Sequence, residues 1–225
     1  MIEPLAKGIG LFMVYGGLAG PTSQVLTDVA CRILPGDRIA LIGPSGSGKS
    51  TLLHILAGLV APTAGTVSWP ALGARDDLMP VKVQAVFQAQ SLFPSLDVLD
   101  NITLPLLLAG QMSDAHLRAL DLLQRFGLSA LTHKLPEELS GGQAQRIAML
   151  RALATAPRLI LADEPTGQLD TKTAGQFLSD VIAVADEIGA ALVIATHDPN
   201  VAERMAQTWA IDHGTLRSAP NKSVG

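Results

Sequence analysis

Residues 38–59 read "RIALIGPSGSGKSTLLHILAGL", and this stretch sets the fold. Arg38 to Ile42 is a short β-rich run, and an apolar helical pattern begins at Ser50. Between them Gly43, Pro44, Ser45, Gly46, Ser47, Gly48, Lys49 and Ser50 match G-x-x-x-x-G-K-[ST]. Glycines at this spacing let backbone N–H groups turn toward phosphate oxygens at a helix N-terminus. Lys49 supplies positive charge to β/γ-phosphates, and Ser50 supplies a hydroxyl for Mg²⁺. Average amino-acid usage puts a chance match in such a chain on the order of 1%. The spacing therefore predicts a site for a nucleoside triphosphate.

Outward from this loop, strands and helices alternate. "GLFMVY" (10–15) reads as a strand, and Pro35-Gly36 turns "VLTDVACRIL" into Arg38–Ile42. Residues 89–138 read as mainly helical, with loops at Pro94 and Pro136. Then come the helix "GGQAQRIAMLRALAT" (141–155) and the buried strand "RLILAD" (158–163). Phe177, Val181, Val184, Ala185 and Ile188 share one helical face, Gly189 ends that helix, and "ALVIAT" (191–196) is the next strand. The alternation predicts a mostly parallel sheet, with ligands at the carboxyl ends of its strands.

"LILADEP" ends an apolar strand with two carboxylates. Adjacent strand residues face opposite ways, so the pair points to use at the strand end rather than burial. Asp163 is the candidate for the metal shell, and Glu164 is the candidate base that takes a proton from water. "LSGGQAQR" (139–146) raises a different question, because it looks like a second anion-binding turn. Ser140 and Gln143 have capping-box spacing, and Gly141 and Gly142 leave the first-turn N–H groups unobstructed. A simple cap explains Ser140 but not the glycines, which weaken a helix.

The chain of 225 residues carries a net charge of -4, which argues against a nucleic-acid partner. The lone Cys31 allows no internal disulfide and reads as a buried structural thiol in a reducing compartment. No secretory signal or membrane-spanning run is apparent, so a soluble cytoplasmic protein is expected. Mean hydropathy is nevertheless +0.34. Either an Ala/Leu-rich core or a surface covered by an apolar partner accounts for it. His54, His116, His133 and His213 show no ligand spacing and read as structural or exposed.

Phosphate loop, "LSGGQ", "ILADEP", "TGQLD" and "ATHD", in this order, resemble the ATP-binding-cassette (ABC) ATPases over residues 8–217. The resemblance implies an α/β P-loop NTPase fold. Its sheet would be mostly parallel, with an N-terminal antiparallel β part and an inserted α-helical subdomain. The expected layout is one domain over 1–225: a core with β subdomain at 1–88 and 139–218, a helical subdomain at 89–138, and a loose tail at 219–225. By the same resemblance the cofactors are ATP and Mg²⁺, and Thr51 joins the phosphate-binding set. Gln88 contacts Mg²⁺ or the attacking water, His197 lies near the γ-phosphate, and Tyr15 stacks on adenine. An amphipathic strand tyrosine is the competing reading of Tyr15. Asp170 closes the D-loop and joins the nucleotide-binding set, while Ser140, Gly141, Gly142 and Gln143 would face the nucleotide of a second subunit, so that a head-to-tail dimer, expected to be a homodimer, buries two ATPs.

"DNITLPLLLAG" (100–110), "DEPTGQLD" (163–170) and "THDPNVAERM" (196–205) most resemble lipoprotein-releasing, macrolide-export and cell-division ATPases. Such a subunit would sit on the cytoplasmic face of the membrane, bound to integral permease subunits. "SLFPSLDVLDNI" (91–102) also resembles sulfonate, taurine and nitrate importers, and a role in mechanical signalling without transport stays open. A soluble cassette acting on ribosomes or DNA is disfavoured, since neither a second cassette nor a coiled-coil insert is present. Leu92 and Phe93 suit either docking of a membrane partner or packing within the helical part.

Overall fold

The computed structural model describes residues 2–16, 22–87 and 92–220. Two sheets organise them. The smaller is antiparallel, in the order β2 (Ser23–Ile33), β1 (Ala6–Tyr15), β4 (Ala64–Ser68). The larger has six strands: β5 (Val83–Val86), β6 (Leu159–Asp163), β7 (Ala191–Thr196), β3 (Arg38–Ile42), β8 (Gln207–Asp212) and β9 (Thr215–Pro220). All its pairings are parallel except β8 with β9. The expected α/β architecture with its antiparallel β part is therefore present.

β6 and β7 are apolar and buried at nearly every position because both faces of the sheet are covered. Ile160, Ala162, Leu192 and Ile194 face one core cluster, under helices α4 (Gly141–Ala154) and α5 (Thr171–Glu187). Leu159, Leu161, Val193 and Ala195 face a second cluster, beneath β1, β2 and helix α1 (Lys49–Leu56). The alternation of strand side chains thus places one strand in two cores. A separate cavity of about 460 Å³ lies at the antiparallel sheet, bordered by Lys7, Cys31, Arg32 and Trp209. Cys31 is half-buried, and desolvation pushes its thiol up to about 11, which keeps it protonated and inert.

The inserted helical subdomain contains α2 (Val98–Leu108) and α3 (Ala115–Arg125). Asp97 caps α2 by accepting the Asp100 N–H at 2.8 Å. Asn101 is fully buried, and its amide binds both main-chain groups of Phe93 and the Leu96 carbonyl, which pins the approach to the helix. Phe177 of α5 is 2% exposed and meets the Phe126 ring edge-on at 5.7 Å, with the Arg146 guanidinium 5.5 Å from its centroid. Phe177→Ala opens a cavity at this junction and should cost about 3–5 kcal/mol, read as a lowered midpoint in urea unfolding.

The sequence expectation of a loose tail fails at its start. β9 pairs with β8 as far as Pro220 opposite Gln207. His213 and Gly214, at φ 44 and 76, form a tight hairpin turn, which Thr215 braces by donating its hydroxyl to the Asp212 carbonyl. That turn supplies "TLRSAP" with a partner strand.

Candidate functional site

Parallel register builds the site. Ile42 of β3 pairs with Thr196 of β7, and Asp163 of β6 pairs with Ala195, so three strands end level with one another. The 43–48 loop, the two carboxylates and His197 therefore gather along one sheet edge, with β7 between the other two strands.

The loop passes from β3 into α1. Gly48 occupies the cap position at φ 106, and a Cβ there would meet the Val25 carbonyl at 2.8 Å. Gly46, at φ 76, has open space where a Cβ would stand. Lys49 folds back and donates to the carbonyls of Gly43 and Pro44 at 2.7 and 3.0 Å. This holds its charge inside the loop. Ser47 Oγ is buried without a hydrogen-bond partner, and an orphaned hydroxyl there suits a phosphate oxygen. Ser50 is exposed in the first turn of α1, and Thr51, half-buried, follows it; Pro44 and Ser45 are exposed at the loop tip.

Asp163 closes β6, and Glu164 follows in the left-handed region at φ 49, its N–H donated to the Ala195 carbonyl at 2.9 Å. Both lie at the strand end as expected, yet both are buried, at 7% and 8% exposure, which the sequence reading did not anticipate. Glu164 finds its partners at the end of β7 and just beyond it. His197 Nδ1 is 2.7 Å from Glu164 Oε1, and the Thr196 hydroxyl donates to Oε2 at 3.3 Å. Thr196 Oγ1 in turn accepts the Asp198 N–H at 3.0 Å, which orients the hydroxyl. A cavity of about 310 Å³ opens beside Glu164, Gly167, Leu169 and His197.

Among the described residues no three His, Cys, Asp or Glu side chains converge on a metal. A Mg²⁺ carried by a nucleotide needs only one or two carboxylates, with phosphates and water completing its shell. Asp163 and the Ser50 hydroxyl fit that requirement.

Ser140 caps α4 as a full capping box: its Oγ accepts the Gln143 N–H at 3.2 Å, and Gln143 Oε1 accepts the Ser140 N–H at 2.9 Å. The glycines need a second explanation beside an open anion turn. A Cβ on Gly141 would stand 2.0 Å from Gln168 Oε1, and one on Gly142 would stand 2.8 Å from the Gln168 carbonyl oxygen. Their bareness lets Gln168 and Leu169 pack on the start of α4 in the same chain. Asp170 caps α5 by accepting the Lys172 and Thr173 N–H groups at 3.1 and 3.0 Å. The hydroxyl and N–H of Thr173 hold its carboxyl below the usual carboxylate range.

Tyr15 ends β1, partly exposed. Gln88 lies outside the described residues. Leu92 is buried in the cluster that includes the helical subdomain, whereas Phe93 is exposed beneath the Arg151 guanidinium. Sequence reasoning assigned no role to Thr196, Gln145 or Gln168. The one signal for Gln145 was an amide set among Ala144, Ile147 and Ala148 on the apolar stripe of α4.

The family described as "ABC transporter" matches residues 26–167. A lipoprotein-releasing system ATP-binding protein LolD of Legionella pneumophila (strain Lens) is 44% identical over 204 residues, covering 87% of this chain and 89% of that protein. The LolD of Bordetella pertussis (strain Tohama I) is 41% identical over 96% of this chain and 99% of its own. Among solved structures, the dimeric MJ0796, a bacterial ABC transporter cassette, superposes with a TM-score of 0.89 at 34% identity, covering 97% of this chain and 99% of that one. A dimeric post-hydrolysis state of MJ0796 bound to ADP and Pi gives 0.88 at 33%, with the same coverage. With phosphate loop, paired carboxylates and histidine on level strand ends, and with these relatives, the chain belongs to the ABC transporter family as an ATPase cassette.

Proposed function

We propose that this chain is the ATP-hydrolysing subunit of a lipoprotein-releasing transporter, working as a head-to-tail homodimer on the cytoplasmic face of the inner membrane. The observation that carries the proposal is the level ending of β3, β6 and β7, which sets Lys49, Asp163, Glu164 and His197 on one edge. The names of the relatives supply the substrate class. No helix among the described residues is long and apolar enough to cross a membrane. In this reading the ATPase passes force to integral permease subunits.

Lys49 and the N–H groups from Gly46 to Thr51 hold the β/γ-phosphates, and Tyr15 stacks on adenine. Ser50, Asp163 and Gln88 would hold Mg²⁺, which supplies charge to screen the phosphates. Glu164 takes a proton from the attacking water while its oxygen bonds to phosphorus and the bond to ADP breaks. For this His197 must release Oε1 and turn toward the γ-phosphate. Ser140 to Gln143 and Asp170 of one subunit complete the site of the other.

The test is reconstitution with the cognate membrane partner in liposomes that carry a lipoprotein. ATP should release the lipoprotein, and Lys49→Ala should abolish both nucleotide binding and release. Uptake of a small solute without lipoprotein release would indicate an importer, and ATP turnover with neither would indicate mechanical signalling. Either result overturns the proposal.

A further inference from the structure

Gln145 is polar and nearly buried, in the second turn of α4. Its amide grips two main-chain groups of the turn after β6. Nε2 donates to the Glu164 carbonyl, and Oε1 accepts the Gln168 N–H at 3.2 Å. The same Glu164 carbonyl takes the Gly167 N–H at 3.1 Å. Glu164 is thereby kept at φ 49, a conformation that a residue with a Cβ holds only when its surroundings enforce it. A leucine at position 145 would fill the apolar stripe and serve the helix at least as well, with less side-chain entropy to lose. The amide therefore has work beyond packing.

We infer that Gln145 is a positioning residue: its amide fixes the main chain of Glu164 and ties it to α4. The first turn of α4 faces the second subunit's nucleotide, so Gln145 links occupancy of one site to the placement of the base in the other. This inference rests on the reading of Glu164 as base and of residues 140–143 as acting across the dimer.

The test uses the purified 225-residue chain. Gln145→Leu should leave nucleotide affinity and KM unchanged and lower kcat by about 100-fold, the cost of a base displaced on the ångström scale. Circular dichroism and thermal unfolding establish that the variant is folded, and Gln145→Met replaces it where leucine is not tolerated. Because Gln145 acts through Glu164, the double variant with Glu164→Gln should hydrolyse no more slowly than Glu164→Gln alone. Parental kcat in a folded variant overturns the inference, as do losses that multiply in the double variant. A slow Glu164→Gln beside a normal Gln145→Leu removes only this inference. A normal Glu164→Gln removes the base itself.

Discussion

Glu164→Gln is expected to bind ATP as the parent does, accumulate as an ATP-bound dimer, and turn over about 10²–10⁴-fold more slowly. Glutamine matches the carboxylate in shape, and its amide oxygen still accepts from His197 Nδ1 or the Thr196 hydroxyl, so the buried pairing with β7 survives. What disappears is the capacity to take a proton. Phosphate release under saturating ATP, nucleotide binding by equilibrium dialysis, and light scattering with and without ATP separate the three properties. Turnover near the parental rate would reject Glu164 as the base.

Gly141→Asp should abolish ATP-driven dimer formation while one subunit still binds nucleotide. A carboxylate in the first turn of a helix is compatible with the helix dipole, and the new Cβ meets only the flexible end of Gln168. The α4 start should therefore stay folded, with negative charge where another subunit's phosphate has to approach. Ser140→Arg should act similarly through bulk, with a further loss of about 1 kcal/mol from the missing cap. The comparison belongs in the Glu164→Gln background, where dimers persist long enough to be counted. ATP-dependent dimers of Gly141→Asp in that background would show that this turn does not act across the interface.

Legibility in the sequence followed the range of the interactions. The phosphate loop was readable because its backbone depends on local glycines, such as Gly46 and Gly48 at φ 76 and 106. The capping box at Ser140 and Gln143 was readable for the same reason. The pairing of Glu164 with His197 was not, because it depends on the register of β6 against β7, which brings distant segments together. That register also explains why two carboxylates expected to stand open are buried. The glycines at 141 and 142 were read as clearing space for a ligand, yet within the chain they clear space for Gln168 and Leu169, a contact no local pattern announces. Gln145 was hidden because a buried amide matters only once its main-chain partners are known. The β9 hairpin was missed because His213-Gly214 is a less familiar tight turn than Asn-Gly.

The two glycines of α4 also differ in what stands over them. Gly141 lies beneath the tip of the Gln168 side chain, whereas Gly142 lies beneath the Gln168 main-chain carbonyl as well as the end of the Leu169 side chain. A methyl group at 141 asks one amide to rotate aside; at 142 it asks a whole turn to shift. Natural sequences should therefore let positions 141 and 168 drift as a pair, alanine at the first appearing with a shorter residue at the second. Position 142 should stay glycine whatever accompanies it. The contact would then be visible as covariation at one position and as invariance at its neighbour.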